Sequence, residues 1–355
     1  MEILDASQYE EYEKFAEGHR NNFFTQSASW AKVKSSWGHE IVVSRDSSGA
    51  IKGGMLILIK KLPVIGASFL YAPRGPVCDF DDDEVLKDLL QGAKAVAKKH
   101  HGFSFKMDPI IEQNEQEPID RLTALGFRFV PGKKYGETVQ PRGNYILEDI
   151  AGKTPEDLLM HFTQKTRYNV RVAQKHQVEC RICGPEAVDD FFRLFVVTAK
   201  RDGFTNAIRP KSYYVNTVEA YPDNARFFIC YYEGKAISAA LCIRYGGKAY
   251  YLFGASDNEG RQYMPNYLMQ FEMMKWALEG GCHKYDFLGT PAEEETDSPM
   301  YGVYRFKKGF NGRSVFYAGE FDYVFNPAVH FLAGTAENAV LAFRQLKRKL
   351  RKHRS

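Results

Sequence analysis

The chain repeats itself over a long interval. The stretches EIVVSRDSSGAIKGGMLILI (residues 40–59) and RFFICYYEGKAISAALCIRY (226–245) both read as strand, polar turn, strand. In each, Ala-Ile is followed one residue later by two small residues. SFLYAPRGPV (68–77) is then answered by YYLFGASDNE (250–259), and HGFSFKMDP (101–109) by CHKYDFLGTP (282–291). Self-similarity over such a span means one structural unit made twice. At 355 residues the chain has the length for two domains, each burying its own core.

Each copy predicts a helix, a hairpin of apolar strands, a third strand, an amphipathic helix ending near Gly, and a buried strand. That order gives an α+β fold, a twisted mixed sheet flanked by helices in each copy, with the copies back to back. The expected first domain is 1–143 together with 321–355, whose C-terminal helix packs back, and the second is 144–320. The order is similar to that of GNAT-fold acyltransferases. Their acyl-CoA loop, a basic residue followed by Gly-x-Gly or Gly-x-Ala at a helix start, is missing: the two copies carry RGPVCDFDDDE and NEGRQYMPNY there. An acyl donor other than acyl-CoA is expected.

Composition removes several classes. Hydrophobic residues make up 44% and charged residues 26%, the balance of a folded globular protein. The N-terminus, MEILDASQYEEYEKF, is acidic, and the longest apolar run is broken by Lys60 and Lys61, so neither a signal peptide nor a membrane span is expected. Six cysteines without a second CxxC pair predict reduced core thiols in the cytoplasm and no metal. Net charge is +4, yet the last 13 residues, FRQLKRKLRKHRS, hold seven Lys and Arg, which leaves the body at −3. That terminus is a solvated helix end or a contact for RNA phosphates or an anionic membrane surface. Val329, Leu332, Val340, Phe343, Leu346 and Leu350 at helical spacing predict a packed terminal helix.

Between the copies, Thr154, Pro155 and Asp157 form a helix start with a capping box, and Arg167, Arg171 and Lys175 follow at four-residue spacing on one face. Like charges so arranged weaken an isolated helix by roughly 0.2–0.5 kcal/mol per pair. A phosphate-rich partner would offset that. The segment VYRFKKGFNG (303–312) sets three cations among three aromatics, as a polyanion or a reacting group would require.

Eight segments in order resemble the Fem (FemABX) family of non-ribosomal peptidyltransferases: FFTQSASWAKVKSSWG, YAPRGPV, FKMDP, VQPRGNYILED, QKTRYNVRVAQKHQV, RDGFTNAIRPKSYY, KYDFLGT and YRFKKGF. They span nearly the whole chain. With no heptad stretch between 215 and 300, it is similar to the short FemX type without the coiled-coil arm. The resemblance implies two tandem GNAT-like domains and transfer of an amino acid from aminoacyl-tRNA to the side-chain amine of the third stem-peptide residue of a peptidoglycan precursor, UDP-MurNAc-pentapeptide or lipid II. It implies no cofactor, a monomer, and peripheral membrane contact through the basic C-terminus.

The resemblance also assigns residues. Lys32 and Arg209 match positions that hold the precursor's phosphates, Tyr213 a tyrosine on the same ligand, and Arg74 a pocket loop. Lys34, two residues beyond Lys32, reads as solvent-exposed. Asp108 matches a proposed general base, although a substrate-binding or structural acid is the favoured reading and substrate-assisted proton transfer is also open. Phe306 and Lys307 match a pair lying against the aminoacylated tRNA end, where Lys307 would stabilise the oxyanion; Arg305 and Lys308, like Arg167, Arg171 and Lys175, would meet tRNA phosphates. The pattern departs at Phe103, where the short type tends to have Tyr, and at Gln177, where a Gly turn is usual. Freeing a lysine-type amine at pH 7 takes about 4.6 kcal/mol, which desolvation and a base must supply. An N-acyltransferase acting on another amine, or a noncatalytic RNA-binding protein, would share the fold without these assignments.

Overall fold

The computed structural model describes residues 1–62, 66–132, 135–136 and 138–334. In chain order the strands are Glu2–Ile3 (β1), Gly38–Arg45 (β2), Ile51–Leu62 (β3), Ala67–Ala72 (β4), Val77–Cys78 (β5), Gly102–Met107 (β6), Arg128–Pro131 (β7), Gly143–Leu147 (β8), Glu179–Cys183 (β9), Ala225–Tyr232 (β10), Lys235–Tyr245 (β11), Lys248–Ser256 (β12), Lys284–Thr290 (β13), Arg313–Phe316 (β14) and Gly319–Val324 (β15). They form two mixed sheets, ordered β1-β2-β3-β4-β6-β15-β7, with β5 paired to β3, and β14-β8-β13-β12-β11-β10-β9. The repeated motif of the sequence is β2-β3-β4-helix-β6 in one sheet and β10-β11-β12-helix-β13 in the other.

Local chemistry closes these units. In the first hairpin the Asp46 carboxylate accepts from the Ser48 and Ala50 N–H groups. The second turns through Glu233 (φ 49°) and Gly234 (φ 76°), a two-residue loop whose twist matches the strands. The crossover helix Asp83–His100 is capped by Asp82, which accepts from the N–H groups of Glu84 and Val85. It buries Leu86, Leu89, Ala93 and Val96 on the first sheet. Its counterpart Pro265–Glu279 buries Leu268, Met269, Phe271 and Met274 on the second. In each sheet the crossover helix joins a parallel pair, β4 to β6 and β12 to β13.

The two copies share one continuous core. Tyr12, Phe24, Trp30 and Leu56 of the first pack with Phe191, Tyr214, Leu241 and Tyr250 of the second. Tyr221 donates across the seam to the Phe24 carbonyl (3.0 Å) and Lys248 to that of Asn22 (3.0 Å). The last strand, β15, returns into the first sheet, where Lys106 pairs with Asp322 (2.7 Å) and with Glu320.

Two expectations change. The helix starting at Thr154 carries its capping box, with the Asp157 N–H donating to Thr154 Oγ1 at 3.1 Å, but stops at His161; a second helix, Gln164–Lys175, restarts behind Thr163. Gln177 adopts the left-handed conformation (φ 56°) that Gly usually supplies. The terminal basic run and Val340, Phe343, Leu346 and Leu350 lie outside the described residues.

Candidate active site

Lys34 stands beside Arg209. The short helix Ala28–Val33 buries Trp30, and a residue four positions on shares that face whereas one two positions on does not. Lys34 Nζ accordingly lies 5.4 Å from the Trp30 ring and 5.2 Å from the Tyr213 ring, while Lys32 is exposed. Burial and the neighbouring Arg209 guanidinium hold the Lys34 ammonium down to about 8. Neither cation has a carboxylate partner among the described residues, so the pair is an uncompensated positive site ready for an anion. Tyr213 is the half-buried member of its pair; Tyr214 sits in the core and its hydroxyl receives the Arg209 N–H (3.2 Å).

Asp108 follows the end of β6 in an enclosed setting. The Tyr71 hydroxyl is 3.1 Å from each of its carboxyl oxygens and the Arg74 N–H donates to one at 2.8 Å. Burial pushes Asp108 up to about 6 against the pull of Arg74. Arg74 is itself buried: its guanidinium lies 4.6 Å from the Tyr317 ring and donates to the Pro141 carbonyl (2.5 Å). The residue expected in a pocket loop thus ties the first copy to the segment that leads into the second.

The segment that opens at Val303 divides its cations. Residues 301–308 are a helix, and Tyr304, Lys307 and Phe310 point inward at three-residue intervals while Arg305 and Lys308 point out. Lys307 is only 3% exposed; its Nζ donates to the carbonyls of Leu288 (3.1 Å) and Gly289 (2.5 Å) at the end of β13. Burial brings the amine down to about 7, opposed by the Asp286 carboxyl. An ammonium has three N–H groups, so two held by carbonyls leave one for a ligand oxygen. A Cβ on Gly289 would lie 2.9 Å from Pro141 and 3.0 Å from the Tyr135 hydroxyl, so glycine lets the end of β13 pack against those residues. On the helix's other side, Phe306 packs edge-to-face on Tyr267 (5.0 Å) and lines a cleft of about 610 Å³ with Thr163, Lys165, Tyr301 and Arg305. Aromatic rings and cations together suit a nucleotide.

A family model described as "FemAB family" matches residues 8–236 and 231–338. The chain belongs to the FemAB family. It is 30% identical to a lipid II:glycine glycyltransferase of Staphylococcus epidermidis, over 96% of this chain and 98% of that one, and 30% identical to the enzyme of the same name from Staphylococcus aureus strain USA300, over 91% and 93%. A crystal structure of FemX superposes with a TM-score of 0.85 at 27% identity, covering 94% of this chain and 99% of that one. A tandem GNAT protein from the clavulanic acid pathway shares the fold at a TM-score of 0.56 and 12% identity, covering 92% and 98%. The S. epidermidis alignment runs over 411 positions against 355 residues here, so that relative carries segments absent from this short FemAB member. The chain is an enzyme of the aminoacyltransferase class.

Against this FemAB frame the basic helix reads differently from expectation. Arg167 donates to the carbonyls of Met160 (3.0 Å) and Phe162 (2.5 Å), closing the end of the preceding helix, and Lys308 pairs with Glu293. Arg171 and Lys175 remain exposed beside Tyr168, and Arg305 faces the cleft. Sequence spacing does not single out Tyr71, Asn144 and Asp286, because a buried strand-end polar residue looks alike in any sheet. Lys34 is different: the Trp30–Lys34 spacing carries the signal that the expectation of an exposed side chain leaves unused. Among the described residues no group of His, Cys, Asp and Glu could hold a metal ion, and no helix is long and apolar enough to cross a membrane.

Proposed function

We propose that this chain, an aminoacyltransferase of peptidoglycan bridge formation, takes an amino acid from aminoacyl-tRNA and attaches it to the side-chain amine of the third stem-peptide residue. The acceptor is the lipid-linked precursor, lipid II, or its soluble counterpart UDP-MurNAc-pentapeptide. The observation that carries the reading is the Lys34–Arg209 pair, whose uncompensated charge fits the pyrophosphate common to both acceptors. The stem peptide then runs along the seam toward Lys307, while the tRNA end enters from the cleft lined by Phe306.

The acceptor amine attacks the ester carbonyl of the aminoacyl-tRNA; the C–N bond forms, the ester C–O bond breaks, and the terminal ribose leaves as its alkoxide, taking up the proton the amine releases. Lys307, with one N–H uncommitted, donates to the oxyanion. Asp108 supports the acceptor side through Tyr71 and Arg74. The aminoacyl ester is already activated, so the scheme needs no cofactor. The enzyme works as a monomer on the cytoplasmic side of the membrane, with the basic C-terminus against anionic lipid.

Incubation with UDP-MurNAc-pentapeptide or lipid II and a mixture of charged tRNAs, followed by mass spectrometry of the precursor, tests this. A gain of one amino-acid residue is expected. With tRNA charging verified, an unchanged mass for both acceptors would rule the reaction out.

A further inference from the structure

We propose that Asp286 is the positioning residue for Lys307: its carboxyl group fixes the turn whose carbonyls cradle the amine. The inference rests on the reading of Lys307 given above.

The geometry begins with a register change. On β13, Asp286 pairs with Ile146 of β8 and Gly289 with Asn144, so three steps on one strand match two on the other and an extra residue bulges out. Leu288, at the bulge, has φ 56°, a conformation that a branched apolar side chain does not choose unaided. Its N–H donates to Asp286 Oδ1 at 2.7 Å, and the Asn144 amide donates to Oδ2 at 2.9 Å. One carboxylate therefore holds both strands. The bulge it pins turns the Leu288 and Gly289 carbonyls toward Lys307, where they receive the amine at 3.1 and 2.5 Å.

Charge adds to geometry. Asp286 is buried, and it is the group that raises Lys307 against its own burial. Burial raises the Asp286 carboxyl as well, opposed by Leu288, Asn144, Lys307 and Arg74. The other titratable groups facing the carboxyl are Lys248 at the start of β12 and the hydroxyls of Tyr250, Tyr285 and Tyr317. Asp286 is thus the acid facing the amine. Removing its charge lowers the Lys307 pKa, so the ammonium that donates to the oxyanion is lost at a lower pH.

The test compares Asp286→Asn, Asp286→Ala, Asn144→Ser and Lys307→Met in the precursor-plus-charged-tRNA assay, with melting curves for each. Asn in place of Asp286 is isosteric and still accepts from the Leu288 N–H. We expect kcat down about 10²-fold from a misplaced and less charged amine, with KM for the precursor within about twofold. The alkaline limb of the kcat–pH profile moves to lower pH. Asp286→Ala, which also frees the turn, loses more, and Asn144→Ser loses less in the same direction. Wild-type kcat and an unshifted profile in Asp286→Asn, with Lys307→Met inactive, would overturn the positioning role and leave Lys307 in place. The positioning role is overturned equally if Asp286→Asn does not fold while Asn144→Ser is wild type in kcat and profile. Near wild-type turnover in Lys307→Met would instead remove the reading on which the inference stands.

Discussion

The two sheets are built from one motif, yet they end differently. In the first, β4 and β6 stay paired from Ser68–Gly102 to Ala72–Met107, and the strand end is sealed by Tyr71, Arg74 and Asp108. In the second, β12 and β13 are paired only from Lys248–Lys284 to Tyr250–Asp286, although both strands continue. Beyond Asp286 they part, β13 bulges, and the Lys307 amine reaches its carbonyls. The crossover helices show the same contrast. The tenth residue of each is Gly92 in the first copy, where a Cβ would stand 2.1 Å from a Val42 methyl, and the fully buried Met274 in the second. Both strand ends bury a carboxyl group, Asp108 in one and Asp286 in the other, and what differs is that β13 bulges where Asp286 holds the Leu288 N–H.

The sharpest way to break this comparison is to neutralise each strand end in turn. Lys307→Met should keep the fold and lower transfer by about 10² or more, the scale for losing a transition-state donor, whereas Asp108→Asn should stay within about tenfold of wild type because an amide can satisfy the same partners. Equal losses, read as product per minute by mass spectrometry, would make the two copies partners in the chemistry. Next, Gly92→Ala should destabilise by about 1–3 kcal/mol in chemical denaturation, since its Cβ would stand 2.1 Å from a Val42 methyl; an unchanged midpoint would mean that the first copy is no more tightly closed than the second. At the seam, Lys34→Ala should weaken binding of the precursor by about tenfold, and Lys32→Ala by less than about twofold, measured by calorimetry; the reverse order would restore Lys32 to the anion site.

The smallest effect concerns pH. Because burial raises Asp108 to about 6, its carboxyl stabilises the fold below the ordinary aspartate range, and that contribution fades as pH rises through about 6. Melting temperatures of wild type should therefore fall relative to Asp108→Asn between about pH 4 and about pH 6. A constant difference across that range would mean that Asp108 is charged throughout and that the first strand end is less sealed than its geometry indicates.

Much of the architecture was legible in the residues. Strand and helix periodicity, the Ala-Ile-x-small-small echo and the capping box at Thr154 are local, and local chemistry decides them. Lys307 was singled out only by the resemblance; that Tyr304, Lys307 and Phe310 share an inward face was shown by the helix at 301–308. What lay outside the sequence's reach was every relation between elements. That Lys34 stands beside Arg209 and Tyr213 depends on a helix packing across the seam, and that Arg74 is a buried tie depends on Tyr317 arriving from more than two hundred residues away. The sequence by itself determined two copies of one α+β unit, because periodicity and turn chemistry act over a few residues. Only the tertiary structure decided which copy opens, because the separation of β12 from β13 and the pinning of Leu288 by Asp286 are set by strands and side chains that meet only in the fold.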